Sequence, residues 1–246
     1  MIQIPSPQPS PRLIAGRGRK YEKSSIIFPV RDYDLAATLD SGQVFRWRAE
    51  SLGSQSWIGV VGNHFVRLTQ IENGIRAETP VAVKDWNWLR DFLQTEIDLA
   101  AILKTFPDDE PMRQSVAACH GLRLLRQDPW ECLASFILSS TKQIVQIRQI
   151  VSQLCECFGE QMNCRVEPTA RLDSATGRTL QFSFPTPQRI ASLTETQLRS
   201  CKMGFRAPNL LAAAREIAGG RLDLDAIRKM NYADAQHELM KLRGVG

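Results

Sequence analysis

Residues 127–159 read QDPWECLASFILSSTKQIVQIRQIVSQLCECFG, and the pattern predicts two consecutive helices. Asp128 before Pro129, with Glu131 at the third helical position, supplies an N-cap, a pre-set φ and the acid of a capping box. Ser140 and Gln143 repeat the device. Ile144, Ile147, Val151, Leu154 and Phe158 then recur as one apolar face until Gly159 ends the run. Two helices therefore meet at Ser139-Ser140.

Further along, the chain stays helical after an irregular polar stretch over 164–187, which predicts a loop. TPQRIASLTETQLRSC (186–201) leads through a glycine-containing turn, KMGFRAP (202–208), to NLLAAAREIAGG, a short helix closed by glycines. RLDLDAIRKM and NYADAQHELMKL each predict a short amphipathic helix, and LRGVG follows at 242–246.

Upstream the period changes. VFRWRA (44–49) alternates, SWIGVVGNHFVRLTQ (56–70) reads as two strands turning at Gly62-Asn63, and QIENGIRAE (70–78) places Asn73-Gly74 between extended pieces, a hairpin signal. An antiparallel sheet is expected. In KDWNWLRDFLQTEIDLAAILKTF (84–106), Trp88, Phe92, Leu99 and Leu103 are spaced as helical core contacts, and Pro107 closes the run. The result is an α+β organisation: an N-terminal antiparallel β-sheet domain with flanking helices over 25–125, then an α-helical domain over 126–246. Residues 1–24, with Pro5, Pro7, Pro9 and Pro11 before a cluster of Arg and Lys, predict a disordered tail whose basic half could touch phosphates weakly.

The net charge of +5 suits a polyanionic partner without requiring one. No apolar stretch approaches the roughly 20 residues that cross a bilayer, and no signal-peptide core opens the chain, so an intracellular protein without a membrane partner is expected. The six cysteines include no CxxC pair, and buried free thiols are expected rather than zinc ligands or disulfides.

Four segments in register resemble the 8-oxoguanine DNA glycosylases of the helix-hairpin-helix superfamily: SGQVFRWR (41–48), LRLLRQDPWECLASFILSSTKQI (122–144), MGFRAPNLLAAAREI (203–217) and YADAQHELMKLRGVG (232–246). The resemblance implies a β domain packed on a helical glycosylase domain, and an activity of N-glycosylase plus apurinic-site lyase on double-stranded DNA containing oxidised guanine. It implies a DNA-associated monomer that needs no cofactor. Gly244, Val245 and Gly246 match the hairpin, where missing Cβ atoms and backbone N–H groups admit a phosphate. In a complete hairpin, backbone carbonyls would also hold a structural cation. Read without the resemblance, the same residues are a helix C-cap and a turn.

Gly42 matches the family residue whose carbonyl accepts the N7 proton that 8-oxoguanine has and guanine lacks. Thr141 stands where the family usually has the asparagine that fills the gap left by the extruded base. Gln146 stands where many relatives carry an arginine to the orphaned cytosine. Lys142 lies in the same loop, Phe205 matches the aromatic wedge and Arg206 a second cytosine-reading arginine. The family's nucleophilic lysine and assisting aspartate lie beyond the second hairpin glycine. No catalytic residue and no metal ligand is therefore assigned here, and Lys202, Lys229 and Lys241 sit in no matching motif. The chain is accordingly expected to be truncated within the helix-hairpin-helix, inactive by itself, and unstable because Leu211, Ile217 and Leu239 would lack partners. Two rivals remain: an alkylpurine glycosylase using aspartate-activated water, and a damage-binding protein without chemistry.

Overall fold

The alternating N-terminal runs pair into one antiparallel sheet in a computed structural model that describes residues 24–162 and 182–246. The basic tail, except Ser24, and most of the loop expected over 164–187 lie outside the described residues. β1 (Ser24–Pro29), β2 (Trp47–Ala49), β3 (Ser56–Val61), β4 (His64–Ile71) and β5 (Gly74–Thr79) stand in the order β1-β5-β4-β3-β2. VFRWRA becomes a strand only from Trp47 onward. The β4–β5 turn is Glu72-Asn73, one residue earlier than the Asn-Gly reading, since Ile71 pairs with Gly74. Gly74 is a strand residue whose missing Cβ leaves room for the Phe28 carbonyl of β1, which would lie 2.5 Å from that atom. Along β3 the side chains divide between two faces: Trp57 joins Phe28, Leu68, Ile75 and Ala77, whereas Ile58 and Val60 pack with Phe65.

The expected run over 84–106 is two helices, α2 (Asn87–Leu93) and α3 (Leu99–Leu103), because Gln94 turns left-handed at φ 54° and ends the first. Leu89, Phe92 and Leu93 enter the sheet's core. Leu99 and Leu103 do not, which corrects their assignment as core contacts. α1 (Leu35–Asp40) and α4 (Glu110–Ala118) complete this part.

The helical part has its own core, built from α5 (Pro129–Ser139), α6 (Ile144–Phe158), α7 (Pro187–Ala191), α8 (Glu195–Arg199) and α9 (Ala207–Ala218), with α10 (Leu224–Ile227) and α11 (Tyr232–Met240) following. Asp128 caps α5 as expected, accepting from the Glu131 amide at 2.8 Å. The second cap is displaced: Ser140 ends α5, while Gln143 begins α6 and its amide donates to Gln146 Oε1 at 3.4 Å. Ile144 consequently falls on the first turn and is 41% exposed, not in the core with Ile147, Val151 and Leu154. Leu211 is buried, and Ile217 and Leu239 are half-buried against the same core, so these residues have partners after all. Thiols also differ from expectation: Cys155 and Cys201 are buried, whereas Cys119, Cys132 and Cys157 are exposed, all five free.

Glu131 reaches across to the sheet instead of closing a capping box. Its carboxylate lies 3.4 Å from Arg46, just before β2, and Arg46 also donates to the Phe182 carbonyl. Arg46 is nearly inaccessible, so this is an ion pair removed from water. Burial raises the Glu131 pKa above the usual carboxylate range, with Arg46 pulling against it. Removing one partner strands the other. Arg46→Met should cost about 3–5 kcal/mol in urea unfolding, and adding Glu131→Leu should recover part of that loss.

Burial pushes the Cys155 thiol up to about 12, and burial together with neighbouring Cys157 does the same for Cys201. Both should resist iodoacetamide in the native protein at pH 8, while Cys119 is modified readily, as peptide mass mapping would read out.

Candidate nucleic-acid interface

Four chain reversals hold the residues singled out by the sequence. The first follows α1, where Gly42 sits at φ +88°. Its neighbour Gln43 pins the loop from inside: Nε2 donates to the carbonyls of Thr38 at 3.0 Å and Arg123 at 2.9 Å, and Oε1 accepts from the Leu125 amide at 2.8 Å. A Cβ on Gly42 would lie 3.1 Å from Ile144 Cδ1, so the loop rests against the start of α6. Positive φ and this close approach together demand glycine.

The second reversal is the α5–α6 connection. Thr141 adopts φ +56°, a conformation that a β-branched residue rarely takes. Its Oγ1 accepts from Arg206 Nη2 at 2.7 Å. Arg206 belongs to the third reversal, a 3₁₀ turn over Gly204–Arg206, and is only 2% exposed, with its Nε buried and unpartnered. Phe205 stands on the other side, 59% exposed, its ring 4.3 Å from the Arg206 guanidinium carbon. That exposure excludes a core role for Phe205. A large ring held in solvent by a cation behind it is suited to stacking on something external.

The fourth is the turn after α11, over residues 242–246. Gly244 has φ +87°, and a Cβ there would lie 2.5 Å from Asn209 Nδ2 in the first turn of α9. Leu242 is buried in the helical core and Val245 packs on it, so both flanks of Gly244 are anchored. Lys142 is half-buried in the α5–α6 loop. Gln146 is exposed, with its carbonyl oxygen turned back to the α6 cap.

Thr141 and Arg206 thus meet directly, and the Gly244 turn touches the helix that Arg206 begins. Gly42 touches α6 immediately after the Thr141 loop. Sequence reasoning passed over Ile144, Asn209 and Gln43 as parts of this arrangement. Ile144 looked like one more member of an apolar face, and only the displaced cap signalled otherwise.

Residues 25–133 match the family model described as 8-oxoguanine DNA glycosylase, N-terminal domain. The N-glycosylase/DNA lyase OGG1 of Arabidopsis thaliana is 28% identical over 234 residues, which cover 89% of this chain and 60% of that protein. The N-glycosylase/DNA lyase of Saccharomyces cerevisiae is 31% identical over 235 residues, covering 86% of this chain and 59% of the relative. The chain therefore spans about three-fifths of the length of these two relatives. The Clostridium acetobutylicum 8-oxoguanine glycosylase/lyase, solved with double-stranded DNA containing cytosine opposite 8-oxoguanine, superposes with a TM-score of 0.77 at 26% identity, covering 93% of this chain and 76% of that one. The overall fold is thus shared with an 8-oxoguanine glycosylase/lyase. The chain belongs to the 8-oxoguanine DNA glycosylase family.

Gly42→Ala should destabilise the protein by about 1–2 kcal/mol, since a side chain at positive φ is strained and Ile144 must yield. Thermal unfolding should show this as a drop of roughly 2–8 °C.

Proposed function

We propose that these residues form the damage-reading part of an 8-oxoguanine N-glycosylase/DNA lyase that acts on double-stranded DNA carrying oxidised guanine. The observation that supports this best is the exposed Phe205 ring backed by Arg206, which is itself tied to Thr141 in the neighbouring loop. Extruding a base costs a few kcal/mol of stacking, and an aromatic ring presented to the duplex returns part of it. Gly42, without a side chain, offers its carbonyl to the N7 proton that distinguishes 8-oxoguanine from guanine, a difference worth one hydrogen bond plus the penalty of an unpaired buried group.

Lys142 and the hairpin amides of Gly244, Val245 and Gly246 hold phosphates in this reading, each contact adding to the salt dependence of binding. A cation on the hairpin carbonyls is part of the same proposal, and of these Leu242's already accepts from the Val245 amide at 3.1 Å. Excision in this reading is the family's: a lysine amine displaces the base, and the resulting Schiff base permits β-elimination. We assign that amine to none of Lys202, Lys229 and Lys241, which match no family motif. The protein works as a monomer on cellular DNA, in nucleoid or nucleus, and the chemistry requires no cofactor.

Opposite-base reading should be relaxed. Arg206 spends an Nη2 donor on the Thr141 hydroxyl, and Gln146 stands where many relatives carry an arginine, so the donors available to an orphaned cytosine are reduced. A bidentate base contact is worth about 1–3 kcal/mol. Fluorescence anisotropy on duplexes with 8-oxoguanine opposite each of the four bases should give affinities within about tenfold of one another. A preference of several hundredfold for cytosine would contradict relaxed reading. Equal affinity for 8-oxoguanine and guanine duplexes would sink the functional proposal itself.

A further inference from the structure

The Gly42 loop is held from two sides, and the second holder has no place in the function described so far. On the C-terminal side Gln43 bonds to Thr38, Ser41, Arg123 and Leu125. On the N-terminal side stands Asp40, the last residue of α1, two positions before Gly42. Its carboxylate accepts from Arg148 Nη2 of α6 at 2.6 Å, joining residues 108 apart in the chain. Ile144 and Arg148 are four residues apart and therefore neighbours on one helix face. One touches Gly42 by van der Waals contact, and the other grips Asp40 by charge.

The environment of this pair is unlike that of an ordinary surface ion pair. Asp40 is 62% exposed, but Arg148 is only 25% exposed, with its Nε buried and unpartnered. The guanidinium is thus drawn down between helix and loop, giving up one donor to reach the carboxylate. Exposed pairs contribute little to global stability, so a pair placed there acts on the position of what it joins more than on the fold.

We propose that Asp40 and Arg148 are positioning residues for base discrimination, clamping the Gly42 loop to the first turns of α6 so that the Gly42 carbonyl stays at the depth the N7 proton requires. The inference rests on the reading of Gly42 as the lesion-reading residue. It makes α6 the common support of two readers: the loop before it presents Thr141, and its exposed face fixes the loop that presents Gly42. A loop free to shift or tilt accepts guanine and 8-oxoguanine more equally, because a hydrogen bond that is stretched or bent out of line weakens.

The test is the ratio of affinities for 8-oxoguanine and guanine duplexes, by anisotropy on the full chain, for wild type, Asp40→Asn, Arg148→Met and the double swap Asp40→Arg with Arg148→Asp. General electrostatics moves the single variants oppositely, since Asp40→Asn removes a charge that repels DNA and Arg148→Met removes one that attracts it. The clamp predicts that both lower the lesion-to-guanine ratio by roughly three- to tenfold, the worth of one hydrogen bond, and that the swap restores it. Hydrogen exchange of the segment over residues 39–44 should speed up in both single variants and return toward wild type in the swap, independently of DNA. Unchanged ratios with unchanged exchange overturn the clamp. A wild type that binds both duplexes equally overturns the reading of Gly42 and takes the clamp with it, and that result is told apart by appearing before any substitution is made.

Discussion

The ion pair between Arg46 and Glu131 is the constraint on which the relative placement of sheet and helices depends. Arg46 lies just before β2, Glu131 in the first turn of α5, and the Phe182 carbonyl takes a second guanidinium donor from beyond the far end of α6. Two charges taken out of water are worth little as a source of stability, but an unpaired one is expensive. The pair therefore selects one arrangement against all others that would leave a charge stranded. Because Arg46 is four residues from Gly42, that selection also sets where the Gly42 loop meets α6.

Around this junction the candidate interface is built from turns that follow helices. Gly42, Thr141 and Gly244 all adopt positive φ, and each follows the end of a helix. Rigid helices behind them absorb the cost. Thr141 is the clearest case, since a β-branched side chain in that conformation is unfavourable and persists only because its surroundings hold it. The bond from buried Arg206 is a visible part of that holding. The same bond keeps the guanidinium beneath the exposed Phe205 ring, so strain in one loop and the presentation of an aromatic in another are consequences of a single contact.

Membership of the 8-oxoguanine DNA glycosylase family does not make these details inevitable. Thr141 and Gln146 have each found a local partner within the protein. Among the described residues, no helix is long and apolar enough to cross a membrane, and no group of three or more metal-ligating side chains is assembled.

Much of this was legible in the sequence, where local physics suffices. Alternation with period two over 56–78 specifies strands, and the Asp128-Pro129 start of α5 is written in three adjacent residues, because hairpins and helix caps are closed by atoms a few positions apart. The glycines at 42 and 244 stand out for the same reason. What tertiary structure alone decided are the matters that depend on distant atoms. Glu131 has the correct spacing for a capping box yet turns to Arg46, since a buried cation outbids a backbone amide. Ile144 continues an apolar period yet lies outside the core, because the cap moved to Gln143 and brought it to the helix's free first turn. Thr141 meeting Arg206 and Asp40 meeting Arg148 join residues 65 and 108 positions apart, and no local pattern encodes such pairs. They follow from how the two cores, each assembled from its own periodic elements, dock with Arg46 paired to Glu131.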